Sequence, residues 1–245
     1  MTDRISRRQL LSAAVATTLV ASIAGTASAQ QPRQRGQGPR GERRTRQLPA
    51  FDNVSFYENG KFSEEKAKDA IIALCRYHGY PVFPGLRENL WVSDYGRGEF
   101  AKLGLACHIF ANEVVGPHSY MLLHIFLLPN QMLPEHWHEA SENPDCAQKN
   151  EGWVIQWGRS YVVGEGEANL PPEVVIPKIH CNGTVTVSHC VVAEPGTFVP
   201  LSRVGSRHWQ YGGSEGAILA EVANGHDNAA VRHTDPECNK AFLSG

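Results

Sequence analysis

Seven short apolar runs, at residues 103 to 112, 119 to 128, 152 to 163, 173 to 180, 184 to 193, 197 to 201 and 216 to 223, follow one another with Gly, Pro and Asn between them. Strand-length runs punctuated by turn residues at this spacing build a β-sandwich or barrel, so the expected class is all-β. One helix precedes them. Ser63 can cap it, Glu64 and Glu65 lie in its first turn, Ala70, Ile71, Leu74 and Cys75 are among its apolar positions, and Gly79 before Pro81 ends it. No internal repeat is visible.

The chemistry is concentrated in Pro134-Glu135-His136-Trp137-His138, followed by Glu151 and Gly158, with His208 70 residues beyond His138. Alternate residues of a strand share a face, so His136 and His138 aim together to one side of a sheet while Trp137 aims to the other. Three imidazoles and a carboxylate form a ligand set for a divalent first-row metal. Lys149 lies two residues before Glu151, so on a regular strand it points into the same cavity. Trp137, Trp153, Trp157 and Trp209 could stack on a sugar or simply fill the core. His180, His189 and His233 have no spacing argument and read as structural.

The chain begins as an exported protein would. Ser6-Arg7-Arg8-Gln9-Leu10-Leu11 opens an Ala-rich apolar run to Gly25, and Ala27-Ser28-Ala29 is a small-residue cleavage site. The paired arginines resemble a twin-arginine signal over 1–29, so the partners expected include the twin-arginine export machinery, and the address is periplasmic or secreted. No other stretch approaches a membrane-spanning length, so no stable membrane insertion is expected after cleavage. Residues 30–49 form an Arg, Gln, Gly and Pro-rich linker, disordered by composition. Without these segments the body from Pro49 carries 14 basic and 23 acidic residues, which makes nucleic acid an unsuitable partner. Residues 50–245 suffice for a single domain. Its six cysteines read mostly as free or buried thiols, although Cys181 and Cys190 flank a short turn and could be cross-strand neighbours.

His136-x-His138, a carboxylate at Glu151 and Gly158, then Pro195-Gly196 with His208, resemble the two motifs of the cupin superfamily. The resemblance implies a cupin jelly-roll β-barrel, about residues 100–230, with an N-terminal helical extension and a homodimer. It departs from the superfamily in the twelve residues between His138 and Glu151, which hold Glu139, Glu142 and Asp145 as alternative carboxylates. Trp91 to Phe100 with Leu103-Gly104-Leu105, Gln131-x-x-Pro134-x-His136-x-His138, Lys149-x-Glu151, and Glu221 to Asn224 with Asp227-Asn228 are similar, in this order, to segments of the D-lyxose isomerase family. That family carries a lysine in its sugar pocket where this chain has Leu123, and its members are mostly cytoplasmic.

The resemblance implies a metal-dependent aldose–ketose isomerase acting on a pentose or related sugar, such as D-lyxose and D-xylulose, through an enediol. Such a reaction needs a Lewis acid on both oxygens and a base beside the carbon. His136, His138, Glu151 and His208 would hold the metal, Mn²⁺ first, with Zn²⁺, Fe²⁺ or Co²⁺ as alternatives. Lys149 would stabilise enediolate charge or shuttle a proton, and Glu221, with Asp227 behind it, would be the base. Cu²⁺ and Zn²⁺ outcompete Mn²⁺ for such donors, so loading in the cytoplasm before export of the folded protein would preserve the weaker binder. The same ligands would also serve an exported Fe-dependent dioxygenase or a non-catalytic sugar-binding cupin.

Overall fold

The computed structural model describes residues 47–116 and 118–243. The leader and most of the linker therefore lie outside the described residues. In chain order the strands are β1 (Tyr57–Glu58), β2 (Lys61–Phe62), β3 (Trp91–Ser93), β4 (Leu105–Glu113), β5 (Tyr120–Leu127), β6 (Met132–His138), β7 (Glu151–Gly164), β8 (His189–Ala193), β9 (Phe198–Pro200), β10 (His208–Ala223) and β11 (Val231–His233). The helices are α1 (Glu64–His78) and α2 (Pro236–Leu243). The fold is a jelly-roll built around β7 and β10, which pair with each other along nearly their whole length.

Each of these two long strands belongs to two layers. The first half of β10 pairs with β6, which carries β11 on its other side, while the second half pairs with β5, which leads to β4 and β3. Likewise β7 meets β9 near its start and β8 near its end. The corner is made by glycines. Gly158 and Gly216 have φ of 70° and 74°, and a Cβ on Gly158 would sit 2.2 Å from the Gly216 carbonyl oxygen. A Gly158→Ala variant should lose about 2–4 kcal/mol, from left-handed strain plus the displaced ribbon. An unchanged urea midpoint would show that the corner does not close this way.

β5 and the second half of β10 are apolar on both faces because both faces are covered. Leu123, Ile125, Leu127 and Leu219 point into the barrel interior with Trp153 and Ile155. Phe126, Leu128 and Ile218 point outward into a second core beneath α1, where Ala67, Ile71, Leu74 and Cys75 recur at helical spacing. Gly79, at φ 76°, ends that helix, and its N–H and that of Tyr80 return to the last-turn carbonyls. At the other end the Ser63 side chain makes no capping bond, contrary to the sequence expectation; only its carbonyl accepts, from Ala67.

The run 173–180 is not a strand. Pro171, Pro172 and Pro177 cannot donate to a ladder, and the segment forms turns whose Val174, Ile176 and Ile179 pack on the interior core. Of the run 184–193 only β8 is a strand, and the run at 216–223 is the second half of a strand twice that length. All six cysteines are free, so Cys181 and Cys190 do not pair. Among the described residues no helix is long and apolar enough to cross a membrane.

Candidate metal centre and cavity

β10, β6 and β11 run side by side, and their register sets His208, His136 and His233 opposite one another in one row. Between β6 and β10 the pairing slips: the step from His208 to Gln210 faces the step from His136 to Leu133. That extra residue is a β-bulge at Pro134-Glu135, where the proline has no N–H to give. Leu133 consequently lines the same cavity as His136 and His138, although strict alternation would place it on the opposite face. Trp137 takes the other side, as its position predicts, under the Arg207 guanidinium 4.2 Å away.

His136, His138 and His208 bring ring nitrogens within 4.8 Å of one another. Glu151 completes the set: its Oε1 is 3.1 Å from His138 Nε2 and 3.2 Å from His208 Nε2. His136 and His208 donate Nδ1–H to the carbonyls two residues earlier, Pro134 at 2.9 Å and Ser206 at 3.0 Å. That bond leaves each Nε2 as a lone pair. Burial lowers the pKa of His136 well below the usual value, and the other histidines add to this, while burial takes His138 to about 4. His136 and His138 are therefore neutral at pH 7, as metal ligation would require.

These atoms fit a cation better than they fit each other. His138 Nε2, His208 Nε2 and Glu151 Oε1 are buried and have no hydrogen-bond partner despite their closeness. Converging acceptors of this kind need a positive charge between them. The charge count agrees: Glu151, Lys149 and Glu221 are almost fully buried and sum to one net negative. A divalent ion coordinated by three imidazoles and a carboxylate satisfies both the orphaned atoms and the excess charge. Glu139, Glu142 and Asp145 are exposed on the loop after β6, and Glu139 pairs with Arg232. They are not placed to act as ligands.

Lys149 lies just before β7, with its Nζ 2.8 Å from Glu151 Oε2 and 2.6 Å from Glu221 Oε1. Burial alone would lower its pKa, but the two carboxylates outweigh burial and raise it, so it stays charged. Glu221 also accepts from Trp153 Nε1 at 3.1 Å. Burial raises the Glu221 pKa against the pull of Lys149. Burial acts on Glu151 in the same sense, yet Lys149 and the two histidines hold its carboxyl well below the ordinary range. Two carboxyls on one ammonium are thus driven apart, the pattern that separates a ligand from a proton carrier.

A cavity of about 570 Å³ opens onto this centre. His136, His138, Lys149, Glu221, His226 and His233 form its polar side, and Met121, Leu123, Ile125 and Leu133 its aliphatic side. Leu123 stands directly across from Glu221 in the ladder between β5 and β10. Near the mouth Trp91 and Tyr95 pack on Phe242 of α2.

Several sequence expectations are corrected here. Trp153 and Trp209 are core residues, and Trp153 is committed to Glu221. A second bulge, where Trp157 faces Ile218 but Ile155 faces Leu219, turns Trp157 outward against Tyr80. None of these four tryptophans lines the cavity, where Trp91, Tyr95 and Phe242 stand instead. Asp227, the second candidate base, is engaged locally: it accepts from the Ala229 N–H and the Ser141 hydroxyl and is not among the residues that line the cavity. His233 is not merely structural, because it lines the cavity beside His136. His226, which sequence spacing did not single out, lies 5.4 Å from His138. Burial drives the pKa of each of these two histidines down to about 3.

No protein-family model matches the chain. It is similar to the D-lyxose ketol-isomerase of Cohnella laeviribosi, 28% identical over 176 residues, covering 71% of this chain and 92% of that one. The D-lyxose/D-mannose isomerase of Thermosediminibacter oceani is 28% identical over 159 residues, covering 65% and 83%. Among solved structures, the L-ribose isomerase of Acinetobacter sp. DL28 in complex with L-ribose has a TM-score of 0.56 at 12% identity, covering 74% of this chain and 94% of that one. The Cellulomonas parahominis L-ribose isomerase with L-psicose has a TM-score of 0.52 at 14% identity, covering 74% and 95%.

Proposed function

We propose that this protein is a metal-dependent aldose–ketose isomerase, a reading carried by one observation: the orphaned atoms of His138, His208 and Glu151, clustered with His136, adjoin a buried Lys149–Glu221 pair at the wall of one cavity. A metal-binding protein without catalysis has no need of a second carboxylate and an ammonium buried beside the centre at desolvation cost. The curated relatives named as D-lyxose isomerases support the same reading.

The reaction moves a proton between adjacent carbons through an enediol. A bound divalent ion, for which Mn²⁺ is our choice, supplies Lewis acidity toward the sugar's carbonyl and hydroxyl oxygens. Glu221 takes the proton from one carbon and returns it to the next, because burial raises its basicity while the Trp153 N–H fixes its direction. Lys149 Nζ holds its proton and presents a fixed positive charge to the enediolate. The aliphatic wall excludes water from the carbanion-like carbon. Leu123 stands where the resembled D-lyxose isomerases carry a lysine, so the substrate is a pentose or related sugar recognised with one fewer charged contact. The twin-arginine-type leader supports export to the periplasm of a protein already folded and loaded with metal.

The manganese-loaded protein, incubated in deuterium oxide with pentoses and hexoses, should interconvert an aldose and a ketose and incorporate deuterium at C2, with no uptake of oxygen. Oxygen consumption would turn the assignment to a dioxygenase. Sugar binding without exchange would leave a binding protein.

A further inference from the structure

Away from the metal centre, His180, Asp235 and Cys238 bring a ring nitrogen, a carboxylate oxygen and a thiol within 4.8 Å of one another, all three buried. Ordinary packing accounts for two of them. Asp235 Oδ1 accepts from the Glu237 N–H in the first turn of α2, and Oδ2 accepts from the Cys181 N–H at 3.0 Å with the Arg97 guanidinium 3.8 Å away. Cys238 packs in the interior core. It does not account for His180, which is wholly shielded from solvent and has no hydrogen-bond partner on either ring nitrogen.

The 3.9 Å from His180 Nδ1 to Asp235 Oδ2 is too long for a hydrogen bond. Burial keeps the imidazole neutral, against the opposing pull of Asp235, so no ion pair substitutes for one. An unpaired nitrogen in a dry site costs about 1–3 kcal/mol unless something binds it.

We propose that His180, Asp235 and Cys238 form a second metal site, distinct from the one in the cavity and suited to zinc. An imidazole, a carboxylate and a thiolate are borderline-soft donors that select Zn²⁺, whereas the cavity site offers only nitrogen and oxygen. Carboxylate and thiolate together offset the dication, leaving the single charge of the nearby Arg97 guanidinium, and binding releases the Cys238 proton to solvent. The remaining tetrahedral position falls to a water molecule, as Cys181 shows only its backbone N–H to Asp235. Such an ion ties the turn at His180 to α2, whose Ala241, Phe242 and Leu243 line the cavity. Its role is to hold that wall in place. The proposal does not depend on the isomerase reading.

Metal analysis of the full chain expressed with zinc and manganese should find a zinc ion in addition to the cavity ion. His180→Gln and Cys238→Ala should each lose the zinc and keep the cavity ion, while His136→Ala should do the reverse. Cobalt substitution gives a test independent of variant folding: wild-type protein should show a thiolate-to-cobalt charge-transfer absorption, because the cavity ligands include no sulfur. Absence of that absorption in the wild type, its persistence in Cys238→Ala, or a zinc content untouched by His180→Gln would each overturn the proposal.

Discussion

Replacing Glu221 by Gln, or Lys149 by Met, lowers turnover by roughly 10²- to 10⁴-fold, the contribution of a positioned acid, base or charge. The two substitutions act differently. Glu221→Gln keeps a side chain of the same shape beside Lys149 and Trp153 but cannot carry the proton, so kcat should fall with KM and metal content nearly unchanged. Lys149→Met removes the ammonium that separates Glu151 from Glu221. With the ion bound, Glu151 remains compensated; Glu221, having lost the group that opposed its desolvation, takes up a proton and stops acting as a base. Activity per bound metal is the quantity to compare, with sugar binding measured separately. Wild-type rates in both variants would show that these side chains only line the cavity.

The second large effect is on the metal itself. His136→Ala, His138→Ala and His208→Ala should each weaken metal binding by more than the roughly 10- to 100-fold that even an outer hydrogen-bond partner is worth, since a ligand and its share of the geometry are both lost. Glu151→Gln should do the same while leaving Lys149 and Glu221 as a neutral pair. Alanine at Glu139, Glu142 or Asp145 should change nothing, because those carboxylates are in solvent. Metal content after dialysis against a chelator decides between these outcomes. Full occupancy in all three histidine variants would remove the site.

The histidine pair was legible because His136 and His138 need only the two-residue period of a strand to share a face, and α1 because its apolar spacing, acidic first turn and terminal glycine are all local. Leu133 and Trp157 were misplaced by that same period. Each lies beside a bulge, and a bulge is set by how two distant strands align, as at His208 opposite His136. The bonds of Asp227 to Ala229 and Ser141 depend on how its turn meets the loop after β6, which no local pattern encodes.

By itself the sequence determined the strand-rich class, the leading helix, and the shared strand face of His136 and His138 at the candidate centre, since these follow from short-range backbone periodicity and side-chain chemistry. Only the tertiary structure decided that Glu151 rather than the loop carboxylates meets the histidines, that Lys149 bridges Glu151 and Glu221, and that His180 meets Asp235 and Cys238. Those partners lie far apart in the chain or compete with nearer ones, and burial, which removes water as the alternative partner, is what selects among them.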